Sequence, residues 1–154
     1  MYALIQNNEI IQTTANPRVL FPNTSFPASG PSAQFLADNN VVAVVDGEQK
    51  DRRFYFVSSA QPAIQLVNGV PTRLYVNNAK DLDQLKSEQI KQAKDSANKQ
   101  LADTDWYVIR KAERDVAIPA EVVAERQAII QECTDKEATI TAATTVEQLM
   151  EAVK

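Results

Sequence analysis

The sequence predicts an α+β fold: a small β-rich N-terminal domain followed by a C-terminal helical hairpin or bundle. Three observations predict it. Residues 1–77 alternate short runs of β-branched and aromatic residues with Asn, Gly and Pro turn signals. Residues 80–102 contain neither Gly nor Pro and repeat small and apolar side chains at helical spacing. The charge is also uneven, with five acids and five bases in residues 1–77 against fifteen acids and eleven bases in residues 78–154. A boundary at 77/78 follows, with a β-rich domain before it and a helical domain over 78–154.

Tyr2-Ala-Leu-Ile-Gln, then Asn7-Asn8, then Glu9-Ile-Ile-Gln-Thr-Thr predicts a β-hairpin, because Asn tolerates the positive φ that a two-residue turn demands. From Asn16 to Pro31 the chain holds Pro17, Pro22, Pro27 and Pro31. Each removes a backbone donor and extends its predecessor, so this segment is expected as a loop without regular elements. Ser32 can cap a helix of about two turns that ends at Asn39-Asn40.

Val41-Val-Ala-Val-Val predicts one strand, closed by a turn at Asp46-Gly47. Arg53-Phe-Tyr-Phe-Val predicts the next, in which alternation sends Tyr55 to the face opposite Phe54 and Phe56. Ala63-Ile-Gln-Leu-Val, Asn68-Gly69 and Val70-Pro-Thr-Arg-Leu-Tyr-Val form the strongest hairpin signal, since Asn-Gly fits both central positions of a type I′ turn. Pro71 then belongs at a sheet edge or a strand start.

Helices are expected at about 80–102, 105–114, 119–142 and 145–153. In the first, Leu82, Leu85, Gln89, Ala93, Ala97 and Leu101 share one narrow face, with Lys86, Lys91 and Lys94 solvated outside. A helix so polar is marginal alone, so it is expected to pack against another helix or to self-associate. Thr104 is expected to cap the second helix through its hydroxyl, with Asp105 at the positive end of the dipole. Trp106, Val108, Ile109 and Ala112 supply that helix with apolar surface.

Asp115-Val-Ala-Ile118 interrupts the pattern, and Pro119 takes the first position of the third helix, where its missing donor costs nothing. Val122, Val123, Ile129, Ile130, Cys133 and Ile140 continue a helical stripe. Thr144-Thr-Val-Glu147 matches a capping box for a last short helix carrying Val146, Leu149, Met150 and Val153.

The composition narrows function by exclusion. With no histidine among 154 residues, the commonest general base and metal ligand is missing, and no catalytic residues are expected. Three glycines leave no room for a Gly-rich phosphate loop, and no zinc spacing or nucleophile elbow is present, so neither cofactor nor metal is expected. Asp103-Thr-Asp105, like Asp81 with Asp83, has the spacing of a divalent-cation pair, but helix capping explains those acids without a ligand. A net charge of −4 with no basic cluster argues against nucleic acid. Arg52-Arg53, flanked by Asp51, reads as surface charge. No apolar run approaches the ~20 residues of a membrane span, and the N-terminus has neither a basic start nor a cleavage site, so a soluble, unexported chain without a membrane partner is expected. Lone Cys133 excludes an intrachain disulfide and reads as a small apolar residue.

Trp106 and Tyr107 could form an aromatic platform, but just ahead of an apolar helix Trp106 is expected as a core anchor. The candidate interface residues are Trp106, Tyr107, Tyr55, Leu82 and Leu85.

Leu101, Thr104, Asp105 and Trp106, a following helix, Pro119, a helix containing Arg126, and the ending Thr144, Thr145, Val146 and Leu149 together form a pattern. It resembles the C-terminal region of tail-fibre assembly chaperones and related small tail proteins of tailed bacteriophages. The opening is similar more loosely, with Asn16-Pro17, Ser25-Phe-Pro27, a short helix and a Val-rich strand. The resemblance implies a virion tail protein made in the host cytoplasm, with other tail or tail-fibre subunits as partners and a possible homo-oligomer. It also implies attachment by the β-rich domain and packing or oligomerisation by the helical one. This chain is longer and more regularly helical after Trp106 than the chaperone pattern, which leaves open a permanent tail subunit or a chaperone absent from the mature particle. A carbohydrate-binding module using Trp106, Tyr107 or Tyr55 is the alternative from another class. An enzyme with paired carboxylates is the least favoured.

Overall fold

Asn7 and Asn8 have φ of 51° and 61° in the computed structural model, which describes all 154 residues. That left-handed pair closes the hairpin of β1 (Tyr2–Gln6) and β2 (Glu9–Thr14), with Gln6 opposite Glu9. On its other edge β1 takes β3 (Val41–Ala43), also antiparallel, and Ala3 on the central strand is fully buried.

The proline-rich loop is more structured than its prolines suggest. Pro17–Leu20 forms one turn of 3₁₀ helix, with the Asn16 side chain accepting from the Arg18 amide. The Arg18 guanidinium donates to the Pro27 and Ala28 carbonyls, both at 2.6 Å. Phe21, Phe26 and Phe35 meet edge to face with centroids 4.9 to 6.1 Å apart, the favoured geometry for aromatic quadrupoles. α1 (Ala33–Asp38) follows, capped by Ser32, whose Oγ accepts from the Phe35 amide at 3.1 Å.

The valine run is not one strand. It breaks at Val44, so that β3 lies in the first sheet and β4 (Val45–Asp46) in a second, where it runs parallel to β6 (Val70–Ala79) with Val45 opposite Thr72. Gly47 follows β4 at a position that only glycine fits, because a Cβ there would lie 2.8 Å from the Arg73 carbonyl oxygen, which already accepts from the Gly47 amide. The two strands expected over 53–57 and 63–67 are instead one, β5 (Tyr55–Val67), running through Pro62 at the edge of the order β4-β6-β5. An edge strand accommodates a residue without an N–H. Asn68 and Gly69, both at positive φ, turn β5 into β6, where buried Pro71 is the second residue. Phe54 precedes the strand, so the expected alternation fails: Phe54 and Tyr55 are both buried and Phe56 is exposed.

The chain divides between Asn78 and Ala79, giving an α+β arrangement with strands before the division and helices after it. The second unit holds α2 (Leu82–Ala102), α3 (Asp105–Arg114), α4 (Ala120–Ala142) and α5 (Val146–Ala152). Asp81 caps α2, accepting from the Gln84 amide at 2.8 Å. Leu85 and Ala97 are buried against α4, which buries Val122 and Ile140. Lys86 donates to the Thr141 carbonyl and Lys94 pairs with Glu137 at 3.1 Å, so α2 and α4 run antiparallel and these lysines tie the pair rather than stand free. Val123 and Ile130 fall outside the buried stripe and are exposed.

α4 begins one residue later than expected, with Pro119 at the cap position. The capping box at α5 is likewise shifted by one. Thr145 Oγ1 accepts from the Gln148 amide, while Gln148 Oε1 accepts from the Thr144 amide and hydroxyl, so Gln148 takes the place expected for Glu147. Fully buried Leu149 then closes the hairpin, with an apolar burial worth about 1.5–3 kcal/mol. No helix is long and apolar enough to cross a membrane.

Candidate functional site

Where α2 hands over to α3, the chain leaves a helix C-terminus whose last carbonyls have no intrahelical donor. The Leu101 carbonyl accepts from the Asp103 amide, from the Thr104 amide at 3.0 Å, from the Thr104 hydroxyl at 3.0 Å and from Arg126 Nη1 at 2.9 Å. Arg126, on α4, also reaches Thr104 Oγ1 at 2.6 Å and Asp105 Oδ1 at 2.9 Å, and its side chain is only 17% exposed. A guanidinium suits this corner because its fan of donors spans several acceptors while its charge meets the negative end of α2. Thr104 therefore occupies the cap position of α3 without capping it: its hydroxyl donates backward to α2 instead of accepting from the α3 amides.

The lock fixes which side of α3 faces inward. At about 100° per residue, Thr104, Tyr107 and Arg110 fall on one side of the helix, and all three are half-buried. Val108, Ile109 and Ala112 fall on the other, and all are exposed, Ile109 at 55%. Trp106 flanks that face and is 49% exposed. The expectation of Trp106 as a core anchor is thus overturned. Arg126 pins the start of α3 through Thr104 and Asp105, and this orients the helix with its apolar side outward. The indole is held by its neighbours, with the Tyr107 ring 3.8 Å away centroid to centroid and the Arg110 guanidinium stacked at 4.8 Å from Trp106 and 5.3 Å from Tyr107. Arg110 Nε is buried without a hydrogen-bond partner, consistent with its lying flat against the rings. α3 ends at Asp115, which is left-handed at φ 52° and pairs with Lys111; exposed Val116 follows.

The other expected interface residues do not join this surface. Tyr55 and Leu85 are each 3% exposed and so present no surface to a partner; Leu82 is half-buried on the first turn of α2. Lys50 lies over the Tyr55 ring at 4.5 Å. Of the acids with cation-like spacing, Asp105 holds Arg126, Asp103 ends α2 and Asp81 caps it. Arg53 pairs with Asp51 at 2.6 Å, which raises its pKa through the hydrogen bond and the adjacent charge. Cys133 is half-buried beside Glu137, and burial, then that carboxylate, pushes its thiol pKa up.

Arg126 is the residue whose position sequence reasoning missed. It was visible only as one letter of a motif, 22 residues from Thr104. Its signal was the chance to pair a helix-embedded Arg with the Thr-Asp step that starts α3.

Compared with protein families, curated proteins and solved structures, the chain shows no match.

Proposed function

We propose that this chain is a tail-associated protein of a tailed bacteriophage that works through protein–protein contacts, either as a subunit retained in the virion tail or as a fibre-assembly chaperone. The supporting observation is that residues carrying the resemblance, Leu101, Thr104, Asp105 and Arg126, converge on one hydrogen-bonded corner. The corner's product is an outward aromatic and aliphatic helix face, which suits binding to protein rather than chemistry. Mass-spectrometric inventory of purified particles tests it. Peptides of this chain in mature virions favour the tail subunit; recovery only with immature fibres favours the chaperone; recovery with neither overturns the reading.

Half-exposed Trp106 favours one second reading, a glycan platform. Buried Tyr55 no longer contributes to it. Glycan-array binding that Trp106→Ala abolishes with the helices intact would support it; no binding above background would remove it.

A further inference from the structure

With the apolar side of α3 turned outward, its basic residues fall on the other side, and they are not alike. Lys111 is taken by Asp115 at 2.5 Å. Arg110 and Arg114, one turn apart and within about 40° of each other around the helix, donate to no acceptor of the chain. Glu113, next to Arg114 and one turn from Arg110, pairs with neither. The Trp106 and Tyr107 rings hold Arg110 instead, with the guanidinium stacked at 4.8 Å and 5.3 Å from their centroids. The stack closes off Nε, which has no acceptor, and leaves the two Nη groups open. Burying a donor without an acceptor is unfavourable, so the rings fix the side chain in this pose at a cost. Two like charges one turn apart also repel, and an anion bound between them relieves that repulsion.

We propose that Arg110 and Arg114 bind a single phosphoryl group, with the Trp106–Tyr107 pair as the platform that presents Arg110. A guanidinium already fixed by stacking loses less freedom on binding, and its open Nη edge matches two oxygens of an oxyanion. A carboxylate has only those two oxygens and one charge. A phosphoryl group carries about two charges and three terminal oxygens, so two oxygens can meet Arg110 while the third meets Arg114. A nucleic-acid backbone suits the pair less well, because it needs a track of cations. Here Asp105, Glu113 and Asp115 share the same short stretch of chain, and the net charge is −4. The proposal concerns the basic side of α3 alone and stands or falls separately from the tail reading.

Two partly solvated guanidiniums give an expected dissociation constant of about 1 mM for inorganic phosphate. Amide NMR on the isotope-labelled full chain measures it at about pH 8, where the group is a dianion, with ionic strength held constant by chloride. The expected result is a saturable shift of the α3 amides and of the Trp106 indole N–H, with acetate about tenfold weaker or more. Phenyl phosphate is the second probe: binding at least as tight as that of inorganic phosphate identifies a phosphoryl group carried on a larger molecule, and weaker binding identifies the free anion. Arg114→Gln alters an exposed side chain without a partner, and Arg110→Lys keeps the charge but loses the fork. Each is expected to weaken phosphate about fivefold or more, with the α2 and α4 amides unmoved as the check that the helices are intact. No saturable shift in α3 overturns the proposal. So do acetate binding as tight as phosphate, wild-type affinity in Arg114→Gln, or a response to single-stranded oligothymidylate without one to phosphate.

Discussion

Replacing Arg126 by methionine keeps the aliphatic stem and removes the donors that the guanidinium brings to the α2–α3 corner. The wild-type side chain makes two bonds to neutral acceptors, Leu101 O at 2.9 Å and Thr104 Oγ1 at 2.6 Å, from a position 17% exposed. Each contributes about 1 kcal/mol net. The third contact, to Asp105, is an ion pair whose acid is 56% exposed, so solvent screening holds it to about 0.5 kcal/mol. The Leu101 carbonyl keeps both bonds from Thr104 after the substitution, so that carbonyl is not left unsatisfied, and the Thr104 hydroxyl still donates to it. The expected loss is therefore about 2–3 kcal/mol. Urea unfolding followed by Trp106 emission reads it in the helical unit alone, which matters because two units need not unfold as one transition. With a denaturant slope of about 1–2 kcal/mol/M, the midpoint should fall by about 1–3 M. Arg126→Lys, a point charge without the fork, should lie between the two proteins. A methionine variant within about 0.3 M of wild type would refute the corner as an energetic element, since such a shift corresponds to well under 1 kcal/mol.

Asn8→Gly should stabilise the first hairpin by about 0.5 kcal/mol, because Gly adopts the observed φ of 61° without steric cost; amide exchange across Tyr2–Gln6 should slow accordingly. Thr145→Ala should destabilise α5 by about 1 kcal/mol in thermal unfolding, and Thr144→Ala by less, because the capping frame begins at Thr145; equal effects would contradict that frame. A raised thiol pKa means that the protonated form is favoured, so at pH 8 folded Cys133 should react with a disulfide reagent more slowly than in urea. Glu137→Gln, which removes the second cause of the shift, should speed it in the folded chain.

What was legible in the sequence was local. Asn68-Gly69 and Asn7-Asn8 announce their turns because the required positive φ is a property of those residues themselves, and Ser32 announces α1 because its cap bond spans three residues. The sheet switch at Val44 was not legible: the four valines on either side of Ala43 have the same β preference, and the break is set by partners, Leu4 on β1 and Thr72 on β6, far away in sequence. Long β5 was hidden for a related reason, since Pro62 reads as a terminator until the strand is known to lie at an edge. At the site, the pattern Val108, Ile109, Ala112 would by its period be turned inward. The Arg126 contacts, with Tyr107 and Arg110 on the inner side, decide otherwise.

Strand β5 carries a consequence for how the protein stays dispersed. Thirteen residues from Tyr55 to Val67 include no charged side chain, and the strand lies at the border of its sheet. Such a rim is a template for adding strands from other molecules, the hazard that lysines usually blunt in edge strands. Here the guard is Pro62. With no N–H to offer, it interrupts the row of donors and cuts the thirteen residues into Tyr55–Gln61 and Ala63–Val67, the second shorter than the roughly six- or seven-residue segments from which steric zippers are built. A residue that looks, in the sequence, like a mere stop thus acts as a gatekeeper against fibre growth.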